Sequence, residues 1–234
     1  MSKFKVNNVF GIVPTRNCAA AGNDFYIPNI PGMSELSDEM LETILIAFIK
    51  SYGLTKEAIV DLCNQLLCTT TALYGEECVN MNELNILHLY LAISSKQMVN
   101  IDTFFDEYLI FDNNGVAGIK LHINDHIKIN SGIRTIIEPG HAGIFFNKSG
   151  KGTKGWDIRA CVVDEDYRGY VHLSMSFTSE LEENSKIFCG DKLTQMVILP
   201  VVQDEPEVLN DDEYLNYKSE RGDNGFGSSD EKHS

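Results

Sequence analysis

The period of the hydrophobic positions changes twice along this chain. The first 33 residues are rich in Val, Ile, Pro and Gly and predict short strands and turns. From Ser34 the spacing becomes helical. Met40, Leu41, Ile44, Leu45, Phe48, Ile49 and Tyr52 fall on one face of a 3.6-residue period, with Ser37 as N-cap, Asp38 and Glu39 in the first turn, and Gly53 at the end. A second helix starts near Thr55 and carries Ile59, Leu62, Cys63, Leu66 and Leu67 along one side. A third starts near Asn82, with Leu84, Leu87, His88 and Leu91 on a buried stripe. The run Phe104–Phe111 fits either a helix or a strand. Amphipathic helices must cover their apolar faces, so residues 34–113 are expected to form a compact helical subdomain inserted between two parts of a β core, residues 1–33 and 114–202.

Past Asn113 the alternation becomes strand-like. The segment KLHINDHIKINSGIRTIIEPGHAGIFFNKSG alternates apolar and polar residues, punctuated at Ser131-Gly132 and Pro139-Gly140, and short strands continue to Leu199-Pro200. Residues 203–220 are acidic and largely non-periodic, which predicts a tether. Residues 221–234 end the chain in RGDNGFGSSDEKHS, whose glycines give the backbone wide freedom. No internal repeat is evident.

Charge sharpens this division. The chain of 234 residues has a formal net charge of −15, which argues against a nucleic-acid surface. Residues 34–113 hold 13 acids against 3 bases and residues 201–234 hold 10 against 3, so the remaining β segments carry a slight positive excess. An anion site belongs in those segments. No run approaches the roughly 18 apolar residues of a membrane span, and the N-terminus lacks the long apolar stretch of a secretory signal. The six cysteines form no CxxC pair and no zinc spacing. Cys63 and Cys68, inside a helical pattern, read as buried reduced thiols, and the whole as cytoplasmic, or host-cytoplasmic for a viral protein. His88, His126 and His172 lack a metal-ligand partner at i+4 and are assigned no chemistry.

Five segments concentrate Gly, Asp, Ser, Lys and Arg beside strand patterns: AAGNDFY (20–26), NKSG (147–150), VVDEDYRG (162–169), GDKLTQ (190–195) and RGDNGFGSS (221–229). In this order they resemble the five motifs of the trimeric dUTPase family, and the resemblance covers nearly all of the chain except residues 34–113. VVDEDYRG and the terminal RGxxGFGSS are the most specific. The resemblance implies a mainly β, jelly-roll (β-clip) homotrimer with sites shared between subunits. It also implies Mg²⁺-dependent cleavage of dUTP to dUMP and pyrophosphate.

Hydrolysis at the α-phosphorus needs a water held in line and deprotonated as it attacks. By the resemblance, Asp164 is the general base, and Tyr167 is the ring that stacks on deoxyribose. Asp166 is expected to face away and pair with Arg168 or solvent. The hairpin Trp156–Val163 resembles the family's uracil reader, with the backbone of Ala160 and Cys161 at its tip. Arg159, Ala160 and Cys161 stand where small residues, often glycine, are common. Ser149 and Gly150 resemble the phosphate-contacting second motif, preceded by Lys148 where the family usually has arginine; lysine keeps the charge but loses the bidentate fork. Lys151 and Lys154 are expected to be solvated. Gln195 resembles the fourth-motif glutamine that bonds phosphate, and Asp24 the first-motif aspartate near the metal's water shell. In the terminal segment, Arg221 is placed on the γ-phosphate, Phe226 on uracil, and Gly227, Ser228 and Ser229 as donors, together forming a lid that orders on substrate. Its tether of about 18 residues reaches about 60 Å when extended, enough to serve a neighbouring subunit.

Two other functions fit parts of this pattern. A dCTP deaminase shares the fold, although D-x-D-Y-R-G and GFGSS favour the dUTPase branch. A non-catalytic trimer that binds dUTP and a regulatory partner through the helices is the alternative from another class. The helical insertion has three jobs open to it: extending the trimer contact, covering the site, or binding another protein.

Overall fold

The computed structural model describes residues 3–75, 83–97, 99–111 and 117–219. Three antiparallel sheets make the β core. The first has the order β1 (Phe4–Asn8), β5 (His126–Ile137), β9 (Tyr170–Phe177), β7 (Trp156–Ile158). The second has the order β2 (Asn23–Tyr26), β11 (Lys192–Pro200), β6 (His141–Asn147), β8 (Val162–Val163). A small third sheet orders β10 (Lys186–Phe188), β4 (Gly118–Lys120) and β3 (Leu109–Ile110). The mainly β expectation is met.

Ser131-Gly132 does not break the strand as its turn-like sequence suggests. Strand β5 runs on through it with a register shift against β9 between Asn130 and Arg134. Gly132, at φ 71°, packs on the backbone of Gly11, and a Cβ on either glycine would run into the other segment. Pro139-Gly140 is the turn between β5 and β6, with Gly140 at φ 74°.

The first helix starts and stops, and the second starts, where their caps predict; the expected start of the third, near Asn82, lies outside the described residues. Ser37 accepts from Met40 N–H to begin α1 (Asp38–Tyr52), and Gly53, left-handed at φ 70°, ends it. Thr55 caps α2 (Lys56–Tyr74) in the same way. Met40 is 38% exposed, so the buried face of α1 is narrower than its periodicity suggests. Helix α3 (Glu83–Gln97) is not striped. Leu84 to Leu89 are all buried, as are Leu91, Ala92 and Ile93, because this helix is enclosed within the fold. The undecided run holds both structures: a short helix, α4 (Ile101–Thr103), passes into a π-helical turn, Phe104–Tyr108, and then into β3.

The insertion is not a separate subdomain. One continuous apolar core includes Phe48 and Leu87 of the helices together with Ile129 and Leu173 of the first sheet. Helix α3 packs on β5. The last turn of α1 is hydrogen-bonded to the same strand: Tyr52 Oη donates to Lys128 O (3.1 Å), and Asn130 Nδ2 donates to Ser51 Oγ (2.8 Å). His88 stacks on Phe48 with centroids 5.0 Å apart. Among the described residues the five cysteines are free. Cys63 is buried as expected, but Cys68 is exposed.

The chain divides into two compact units between Val201 and Val202. In the second, the expected tether contains a single helical turn, α6 (Asp211–Tyr214). It is nucleated by a capping box in which Asn210 Oδ1 accepts from Glu213 N–H and Glu213 Oε2 accepts from Asn210 N–H. The sequence N-D-D-E carried that signal.

Candidate active site

The site residues within the described chain form two groups, at opposite ends of the second sheet. The first is built around Asp24 on β2. Its cross-strand partner on β11 is Gln195, which in turn faces Phe146 on β6. Asp24 is buried, with Oδ1 accepting from Lys148 Nζ at 2.6 Å and Oδ2 from Lys192 Nζ at 2.9 Å. Burial pushes its pKa up, but the two ammonium groups outweigh burial and hold it below the ordinary carboxylate value. The Lys192 ammonium is raised in turn, chiefly by its bond to Asp24.

Lysine 192 was not singled out from the sequence, although GDKLTQ contains it. A register shift between Lys192 and Thr194 breaks strict alternation there, so period-2 reading gives no basis for placing it on Asp24.

Gln195 Nε2 donates to Asn147 O (3.1 Å), tying β11 to the end of β6. Asn147 in turn accepts from Ile158 N–H and donates to Asp157, fixing β7. Gly22 lies beneath Gln195, where a Cβ would come within 3.0 Å of Oε1. Beyond Asn147, a one-turn helix, α5 (Ser149–Gly152), presents exposed Ser149 and Gly150 with Lys148 at its head. Lys151 is not solvated as expected: it pairs with Asp191 at 3.1 Å and stands 5.9 Å from the centre of the Trp156 ring. Lys154 is exposed.

The second group surrounds a cavity of about 190 Å³ lined by Phe145, Ala160, Val162, Asp164, Tyr167 and Tyr170, among others. Trp156–Val163 is not a self-paired hairpin. Its first arm, β7, pairs with β9 and its second, β8, pairs with β6, so residues 159–161 cross between two sheets. Cys161 O accepts from Phe145 N–H (2.7 Å), and Arg159 is anchored on β9 through Ser174 O and Ser176 Oγ. These anchors hold the crossing in place with Arg159 and Cys161 at positions where small residues are common. Ala160 is exposed at its tip.

Asp164 follows β8 in the turn before β9. The turn closes through Tyr167 N–H to Asp164 O (3.2 Å) and is braced by Arg168 on the carbonyls of Glu165 and Tyr167. Arg168 therefore spends donors on backbone, and Asp166 faces solvent. The Tyr167 ring folds over Gly169, whose missing Cβ leaves the space, and its hydroxyl donates to Tyr170 O (2.8 Å). Arg221, Phe226, Gly227, Ser228 and Ser229 lie outside the described residues.

A family model described as dUTPase matches residues 110–230, just over half of the chain. The chain belongs to the dUTPase family. A deoxyuridine 5'-triphosphate nucleotidohydrolase of Gamma-proteobacterium EBAC31A08 is 29% identical over 133 residues, 51% of this chain and 91% of the relative. That of Haemophilus influenzae strain PittEE is 32% identical over 129 residues, 49% of this chain and 82% of the relative. A Staphylococcus bacteriophage 80alpha dUTPase solved with dUPNHPP shares the fold at a TM-score of 0.51 and 15% identity, over 97% of this chain and 98% of that one. That coverage takes in the helical insertion. This dUTPase is a dUTP diphosphatase, hydrolysing dUTP to dUMP and pyrophosphate. The segment AAGNDFY (20–26) lies outside the matched span, and β2 joins it to the sheet that also includes Asn147 of β6 and Gln195 of β11.

Proposed function

We propose that this dUTPase works as a homotrimer whose sites each join the Asp164 group of one subunit to the Asp24–Lys148–Gln195 group of another. One observation carries this reading. Within a single chain, Asp24 and Asp164 are three strand spacings apart across the second sheet and about four residues apart along it. That amounts to about 20 Å. A general base must reach the water on the α-phosphorus through one hydrogen bond, so the two groups of one chain do not serve one phosphate. The outward face of the same sheet supports the assembly. Ile144, Phe146, Val162, Val197 and Leu199 share it, with Phe146 45% and Val162 61% exposed. An apolar sheet face of this kind calls for a partner.

In this arrangement the backbone at Ala160 and Cys161 reads the uracil edge, and the Tyr167 ring packs on deoxyribose, leaving no room for a 2′-hydroxyl. Ser149, the N–H of Gly150, Lys148 and the second N–H of Gln195 bind phosphate oxygens. Asp164 takes the proton of the attacking water as it adds to the α-phosphorus, and pyrophosphate leaves. The terminal segment, with Arg221 on the γ-phosphate, Phe226 on uracil and Gly227, Ser228 and Ser229 as donors, closes over the substrate.

Magnesium fits here as an ion carried by the triphosphate. No group of three or more His, Cys, Asp or Glu gathers among the described residues, so nothing there forms an all-protein cage. Asp24 is a hard oxygen donor suited to one contact with the ion's water shell. When bound, the ion neutralises charge on the phosphate oxygens.

The test is subunit mixing. Asp164→Asn and Gln195→Ala should each be nearly inactive alone. Coexpressed in equal amounts, they should recover about a quarter of wild-type turnover, because random trimers pair two intact halves at that frequency. A mixture as inactive as its components would mean that each site is built within one chain.

A further inference from the structure

Asp24 carries two ammonium groups, although one would balance its charge. Their settings differ. Lys148 sits past the end of β6, at the head of the turn that presents Ser149 and Gly150, so it belongs to the phosphate-facing surface. Lys192 is the first residue of β11, inside the paired sheet. It is the cross-strand partner of Tyr26, its ammonium lies 5.7 Å from the centre of that ring, and a register shift follows it on the strand. Each lysine takes one oxygen of the buried carboxylate, Lys148 on Oδ1 and Lys192 on Oδ2. With both oxygens paired to ammonium groups, Asp24 keeps lone pairs but is screened from a hydrated cation by two positive charges. A cation approaching this end of the protein without nucleotide meets a net positive trio.

We propose that Lys192 is the positioning residue that holds Asp24 for the metal-bearing triphosphate, while Lys148 transfers from Asp24 to the phosphates when the nucleotide binds. This rests on the reading of Asp24 as the carboxylate facing the metal's water shell. The exchange replaces one charge-assisted bond of Lys148 with another, on a flexible four-carbon stem suited to the movement. It frees Oδ1 only when the polyanion has arrived. Lys192 keeps Oδ2, so the freed carboxylate neither rotates nor stands buried without a partner. The two lysines therefore have separable effects: Lys148 contributes to nucleotide affinity itself, and Lys192 to the linkage between nucleotide and Mg²⁺.

The experiment is calorimetric titration of a non-hydrolysable α,β-imido analogue of dUTP into the full chain, with and without Mg²⁺. The ratio of the two affinities is the metal linkage, expected to be about tenfold or more for the wild type. Lys148→Met should weaken binding about equally in both buffers and keep the ratio. Lys192→Met should lower the ratio to that of Asp24→Asn, and Lys192→Arg should restore it. Lys192→Gln, which keeps a polar donor, serves if the methionine variant does not fold. A wild-type ratio in Lys192→Met, with the ratio lost in Asp24→Asn, overturns the proposal. So does a loss that arginine fails to restore, or a Lys148→Met variant that behaves like Lys192→Met. If Asp24→Asn itself keeps the full ratio, the underlying reading of Asp24 fails, and the proposal with it.

Discussion

Two histidines next to each other in the fold make stability depend on pH. His88 of α3 is fully enclosed, and burial, reinforced by His172, pushes its pKa down to about 3. His172 of β9 is pushed down to about 4 by burial and by Lys128. In the unfolded chain both titrate near the ordinary value of about 6.5. Below that pH the unfolded state takes up protons that the folded state refuses, so stability is whole above pH 6.5 and is lost as pH falls toward the folded values. The slope reaches about 1.4 kcal/mol per pH unit for each histidine. Denaturant unfolding at fixed chain concentration between pH 7 and 5 should give a shallower decline for His88→Phe, which keeps the stack on Phe48, than for the wild type. Equal slopes would show that His88 does not set the dependence. The sequence suggested a buried stripe for His88 but not its neighbour: the contact joins an inserted helix to a strand more than eighty residues away. The same limit hid the Asp24–Lys192 pair, whereas the turn that brings Asp164 and Tyr167 to one cavity lies within a contiguous segment.

The helices were the most legible elements, since their signals are local. Ser37, Gly53 and Thr55 set the ends of α1 and the start of α2 through bonds within four residues. What the helices pack against was not legible, because an amphipathic face does not name its partner. The answer is β5, reached through Tyr52, Ser51 and Asn130 and sealed by Phe48. Crossings between sheets were hidden for a related reason: β7 and β8 have the spacing of a hairpin, yet each finds a better partner elsewhere. The continuous core predicts that the insertion and the β sheets unfold as one cooperative unit. Phe48 is fully buried and meets the rings of Phe10, Tyr52 and His88. Truncating it to alanine should cost about 3–5 kcal/mol. Unfolding followed by far-ultraviolet circular dichroism and by Trp156 fluorescence should shift together in Phe48→Ala. An early loss of helix signal with Trp156 still native would mean that the insertion folds on its own.

For the whole molecule, the proposed sharing of Asp24 and Asp164 between subunits would tie activity to assembly. A chain that keeps both groups intact but does not associate should have no complete site. The outward face of the second sheet offers a way to make one. Leu199 is 39% exposed and lines neither the Asp164 cavity nor the Asp24 group, so an acidic side chain there leaves the folded chain little changed. In an apolar contact between subunits, however, it buries an unpaired charge, at a cost of several kcal/mol per ion, repeated at each copy of the contact. Leu199→Asp should therefore sediment as a monomer, with a native circular dichroism spectrum and turnover lowered at least a hundredfold. Raising the protein concentration should recover activity in step with the fraction reassembled, because mass action restores sites and subunit contacts together. A monomeric Leu199→Asp that hydrolyses dUTP at the wild-type rate would place both halves of the site within one chain and remove the case for sharing.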